Sequence, residues 1–195
     1  MPYSFTSVPK ASSNAGRAKG KKPYILLYRT KEVITYQRND NGVLLTDFAL
    51  KAAAVPAAIY ATESTINIYH TSQGDDDARG FIHHADFEHP GTPLEFDEFM
   101  ENNINEEFIA IGINCDAKST DLCKIAGTPG TPLKITKDDS QDNKDADKHT
   151  VNLASVITGP TLGRITKSMV PKTGVAEIDA ILGLTTGSGS TTGGV

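Results

Sequence analysis

Short apolar runs with a period of two, each closed by turn residues, limit what this chain can fold into. "STINIYHTS" (Ser64–Ser72) places Ile66, Ile68 and His70 on one face, with Thr65, Asn67 and Tyr69 on the other. "EEFIAIGIN" (Glu106–Asn114) puts Ile109, Ile111 and Ile113 on one side, and His149–Val156 alternates in the same way. Further strands are expected at Tyr24–Tyr28, Glu32–Tyr36, Ala57–Ala61, Leu122–Gly127, Thr131–Thr136 and Leu162–Ser168. Asn39–Gly42 and Thr128-Pro129-Gly130 read as turns. "DFALKAAAVP" holds helix formers but runs into Pro56, so a loop is expected there. The acidic stretch Lys137–Lys148 also reads as a loop. No sustained alternation of strand and long helix occurs, which excludes a doubly wound α/β fold. A mainly β chain is predicted, a small antiparallel barrel or sandwich with one flanking helix.

The most polar stretch is "GDDDARGFIHHADFEHPGTPLEF" (Gly74–Phe96). It reads as a turn, a strand over Gly80–His89 and a helix start. Period two puts Phe81, His83, Ala85, Phe87 and His89 on one face, and Ile82, His84, Asp86 and Glu88 on the other. His83 and His84 therefore point in opposite directions. His83 and His89 lie about 20 Å apart along a strand. No two of these histidines share a metal by local spacing. Asp75, Asp76 and Asp77 lack the staggered ligands, central glycine and distal glutamate of a calcium loop. The stretch is expected to hold no tightly bound metal. Its acids read as a solvated turn or as partners for basic residues of another chain. After Pro90-Gly91, Thr92 is the expected N-cap, with Pro93 at N1 and Glu95 as the capping-box acid. Phe96, Phe99, Met100 and Ile104 form an apolar stripe ending at Asn102, Asn103 and Asn105. A second short helix is expected around Val175–Leu182.

Signatures of enzymes are missing. There is no Gly-x-Ser-x-Gly, no phosphate loop and no dinucleotide fingerprint. "GTPGTPL" (Gly127–Leu133) is glycine-rich, but its prolines remove amide donors that a phosphate cradle needs. His84, Asp86 and Glu88 share a strand face fit for acid-base chemistry. The polar outer face of a half-buried sheet is the simpler reading. No catalytic residue and no cofactor are assigned.

Charge is distributed unevenly. Residues 1–22 carry Lys10, Arg17, Lys19, Lys21 and Lys22 and no acid. The whole chain is at −5, so the remainder is at −10 once the arm's +5 is set apart. Such an arm contacts nucleic acid, crosses to the acidic body of a neighbouring copy, or stays solvated. The arm has no interleaved aromatics, which argues against nucleic acid. Three segments follow: a basic arm (1–22), a β domain (23–170), and a short helix with a Gly/Ser/Thr-rich flexible tail (171–195). Hydrophobic residues are 38% of the chain, which suits a domain flanked by such segments. Met1 to Pro23 lacks the apolar region of a secretory signal, and no apolar run approaches the ~18 residues of a membrane span. Cys115 and Cys123 are too few for a disulfide scaffold and read as small hydrophobes.

Several of these features recur together elsewhere. The Gly74-Asp75-x-Asp77 turn, the Gly80-Phe81 strand start, the Phe87–Gly91 strand end, the helix, "FIAIGINC" and the Gly-Thr-Pro…Pro-Leu turn follow one another in order. This pattern, over about residues 24–157, resembles the tail-tube proteins of tailed bacteriophages, in the form found in phages of Bacteroidetes. Those proteins are related to the tubes of type VI secretion systems. The resemblance implies two antiparallel sheets and a flanking helix. It implies six copies joining their inner sheets into a ring around a channel, with rings stacked into the DNA conduit of a virion tail. The implied partners are further copies, other tail proteins and genomic DNA that passes without specific binding, with no membrane. Assembly would take place in the bacterial cytoplasm. His84, Asp86 and Glu88 become candidates for the lumen face, where a mainly acidic lining would keep DNA from sticking. Lys10, Arg17, Lys19, Lys21, Lys22, Asp75, Asp76 and Asp77 become candidates for contacts between subunits. Other readings are a capsid decoration protein, a tail-completion protein, or a small carbohydrate-binding sandwich.

Overall fold

The computed structural model describes residues 7–10, 16 and 18–184. It is mainly β, and the strands pair antiparallel throughout. β1 (Lys21–Arg29) pairs with β4 (Ala57–Tyr60) on one side and β7 (Phe108–Asn114) on the other. β7 continues to β8 (Leu122–Ala126), and β8 to β11 (Gly163–Thr166). A second run joins β5 (Asn67–Gln73), β6 (Gly80–Pro90), β10 (Asp147–Ser155) and β9 (Leu133–Asp142). The two runs meet at one register pair, Phe108 with Leu133. They form a single nine-stranded sheet folded over on itself, and no closed barrel results.

Burial explains the folding over. One face of β1 and β7 carries Ile25, Leu27, Phe108 and Ala110, packed against Ile68, Ala85, Phe87, Val151 and Leu153 of the second run. The other face carries Leu26, Tyr28, Ile109, Ile111 and Ile113. That face is covered by the hairpin of β2 (Val33–Arg38) and β3 (Leu45–Leu50) and by α2 (Ala176–Leu182). β1 and β7 are thus the middle of three layers. This is why "FIAIGIN" is apolar on both faces rather than alternating.

Several expectations are corrected. β3 occupies a stretch read as a loop: Leu45 and Phe48 bury into the second core, and packing outweighs the helix preference of Leu45, Ala49 and Leu50. Lys137–Lys148 is not a loop. β9 runs through it to Asp142, and β10 returns from Asp147 across a turn that Asn143 holds by accepting from the amides of Asp145 and Ala146. β1 starts at Lys21, so Lys21 and Lys22 belong to the sheet rather than to an arm. α2 is part of the domain, since Leu182 and Leu184 are buried in the second core. Gly183 ends α2 in the left-handed region (φ 65°), with its amide on Ala180 O.

α1 (Leu94–Asn103) closes one end of the first core with Phe96 and Met100. Its N-cap is Pro93, not Thr92, and no side chain caps it. Gly91 turns the chain out of β6 at φ 77°, and Pro93 keeps an extended ψ of 146°. The helix therefore starts one residue later than the capping box requires. Ile104 is largely exposed and Phe99 only partly buried, so the buried stripe is narrower than its periodicity suggests.

Candidate functional site

The strand order β5-β6-β10-β9 gives one sheet face to the core and one to solvent. On the core side lie Ile68, His83, Ala85, Phe87, His149, Val151 and Leu153, all buried. The opposite side is polar. Its centre is the predicted trio His84, Asp86 and Glu88, each half-buried. His84 stacks on Tyr69 at 4.6 Å between ring centroids, and its Nε2 lies 3.1 Å from the Thr71 hydroxyl. Asp86 sits between Asn67 and Asn152 in register. Desolvation, then the Asp86 charge, push the Tyr69 phenol above its ordinary range. Lys148 Nζ donates to Glu88 at 2.7 Å, and Lys137 pairs with Asp139. Asp86, Glu88 and Asp139 thus face two lysines, and two of the three acids are paired. This outer face carries fixed polar pairs.

His83 and His84 diverge as the strand period requires. His83 is fully buried. Its Nδ1 accepts from the Gly127 amide at 2.9 Å, so the proton sits on Nε2 and is donated to Pro160 O at 2.6 Å. The Gly127–Thr131 turn seats this imidazole rather than an anion. Thr128 and Thr131 close it through their backbone groups. Burial pushes the His83 pKa down, with Arg38, His70 and His84 adding to that and the Pro160 carbonyl opposing it.

Three further features have no local sequence signal. His149 is buried at the foot of a groove of about 510 Å³ between α1 and the β9–β10 hairpin. A bulge between Ile135 and Lys137 turns Asp138 inward, and Asp138 Oδ1 accepts a hydrogen bond from His149 Nδ1 at 3.0 Å. His149 Nε2 lies 3.2 Å from Asp97 Oδ1 without a hydrogen-bond alignment. Asp138 is therefore not one of the solvent-facing acids. A row of cations runs across the β1-β7-β8-β11 run of the sheet: Lys21 beside Asn114, then Lys124, then Arg164, its register partner. At the hairpin's end Asp142 and Asp147 face each other in register, with Asp145 in the turn between them.

The remaining predicted contact residues are dispersed. Asp75, Asp76 and Asp77 form an exposed turn, with Asp77 in the left-handed region (φ 65°) and Asp76 3.3 Å from Arg79. Lys10 and Lys19 are exposed, and Arg17 lies outside the described residues. Lys21 donates to Asn114 Oδ1 at 2.7 Å. Among the described residues, no group of three or more His, Cys, Asp or Glu is arranged to hold a metal ion. Cys123 is buried in the second core, and Cys115 is half-buried with its thiol on Lys21 O. No helix among the described residues is long and apolar enough to cross a membrane. No protein-family model, curated protein or solved structure matches this chain.

Proposed function

We propose that this chain is a self-assembling tube subunit, of the kind its sequence resembles in phage tails. One observation carries the reading. Among the described residues, the run β5-β6-β10-β9 ends in two strands that find no complete partner. β5 pairs only with β6, and β9 beyond Leu133 pairs only with β10. Unpaired backbone edges on this scale favour pairing with another copy.

The topology makes that pairing regular. The four strands alternate in direction, so β5 and β9 run opposite ways. Rotation about a cyclic axis preserves direction along that axis. β5 of one copy therefore meets β9 of the next antiparallel, and every interface in the ring is the same. The polar outer face would then line the channel, with His84, Asp86 and Glu88 toward the lumen and the apolar faces kept in the cores. Its paired charges leave no cationic surface to hold DNA phosphates by counterion release. The chain's role is structural, with six copies per ring as the resemblance implies.

Electron microscopy of the purified full-length protein tests the reading. Rings or tubes with a central channel are expected. A protein that stays monomeric and binds preformed capsids would make it a decoration or completion protein. A monomer that binds or turns over sugars would overturn the structural role.

A further inference from the structure

A cationic row borders the outer edge of β5. Lys124 lies between Gly112 of β7 and Arg164 of β11 in register, and Lys21 stands opposite Asn114 at the end of β7. Lys124 Nζ reaches over to donate to Ile68 O of β5 at 3.0 Å, which fixes the row against that strand. Ion pairs among the described residues include none of Lys21, Lys124 or Arg164. The three repel one another. Burial first, then neighbouring cations of the row, hold both lysines below the ordinary range. Isolated, the row costs free energy that an anionic partner would return.

A surface with the opposite defect lies at the far edge of the same sheet. Asp142 and Asp147 are directly opposed across the β9–β10 hairpin, a placement that destabilises a strand pair. Asp145 adds to them in the turn, and all three are exposed. None has an ion pair among the described residues. Within one copy, β10 and β6 separate β9 from β5. In a second copy joined edge to edge, β9, and with it the acidic hairpin, is the next element beyond β5.

We propose that the row Lys21, Lys124 and Arg164 is the docking surface for the acidic end of the β9–β10 hairpin, Asp142, Asp145 and Asp147, of a second copy. It rests on the reading of the chain as self-assembling and names the charges that select the partner edge. The match sets register as well as affinity, because a slipped or reversed edge leaves both clusters unpaired.

Charge exchange at two exposed positions tests it. Arg164→Glu and Asp142→Lys are made singly and together, with thermal melts to confirm folding and light scattering to find the assembly threshold. Each single change should raise the threshold protein concentration on the order of tenfold, and the pair should recover most of the loss. Singles that assemble like the parent, or a pair no better than its worse single, would overturn the docking surface while leaving self-assembly standing. A parent that never assembles overturns both. A monomeric parent that binds short duplex DNA, and loses it with Arg164→Glu, makes the row a polyanion site instead.

Discussion

His83 shows how one buried polar residue holds three segments together. Its ring joins the Gly127 turn to the loop at Pro160, and its amide is held by the Ser155 hydroxyl. His83→Ala leaves a buried amide and a carbonyl without partners, each worth about 1–3 kcal/mol. A loss of about 3 kcal/mol is expected in urea unfolding. The pH dependence has a definite sign. His83 is neutral in the fold, with its pKa held below 6.5. Between that lowered value and about 6.5 the unfolded chain binds more protons, so stability rises with pH through this window. The contribution is complete above the unfolded pKa and is lost as pH falls through the folded one. Unfolding curves at pH 7.5 and 5.5 should show a smaller acid loss for His83→Ala than for the parent. Equal losses would mean that His83 does not carry the effect. Gly127 is fixed by the same site. It sits at φ 81°, and an added Cβ would meet Phe108 O at 2.8 Å, so Gly127→Ala should also destabilise.

Helix α1 separates what periodicity reveals from what it cannot. Phe96 is buried, stacked on His89 at 4.2 Å and met edge-on by His149 at 4.8 Å. Phe96→Ala should cost about 3–5 kcal/mol. Phe99, only partly buried, should cost less when truncated. Thr92→Ala should change stability by less than about 0.5 kcal/mol, because its hydroxyl caps nothing. Thermal melts of the three variants check this order, and a loss near 1 kcal/mol for Thr92→Ala would restore it as the cap. The existence of the helix, the strand over Gly80–His89 and the divergence of His83 and His84 were all legible, because each follows from local spacing. Leu45–Leu50 was not, since its helix formers become a strand only against the second core. The hairpin over Lys137–Lys148 was masked by its acids, which say nothing about pairing where most of its residues are exposed. His149 with Asp97, and Lys124 with Arg164, are brought together by the sheet from distant parts of the chain. No spacing rule reaches such pairs.

At the scale of the whole molecule, the charge asymmetry of the sequence needs a place to act. The chain from residue 1 to Lys19 holds Lys10, Arg17 and Lys19 and no acid, and the paired sheet begins just beyond it at Lys21. The exposed Asp75–Asp77 turn closes the connection from β5 to β6 at one end of the polar face. If rings stack as proposed, the ends of that face are where successive rings would meet, and the basic segment of one ring would have an acidic target on the next. Each exposed pair contributes only about 0–1 kcal/mol, but repetition around a ring multiplies the effect. Deleting residues 2–19 spares every strand of the described residues, and the shortened protein should melt within a few degrees of the parent. Its tubes should be shorter at low salt. Raising the ionic strength screens the same contacts in the parent, so the difference between the two proteins should shrink as salt is added. Tube lengths measured by electron microscopy from about 50 to 500 mM salt follow this directly. Equal lengths at every salt concentration would leave the segment without a part in stacking. A difference that persists undiminished at high salt would assign stacking to apolar or backbone contacts of the segment instead of its charges.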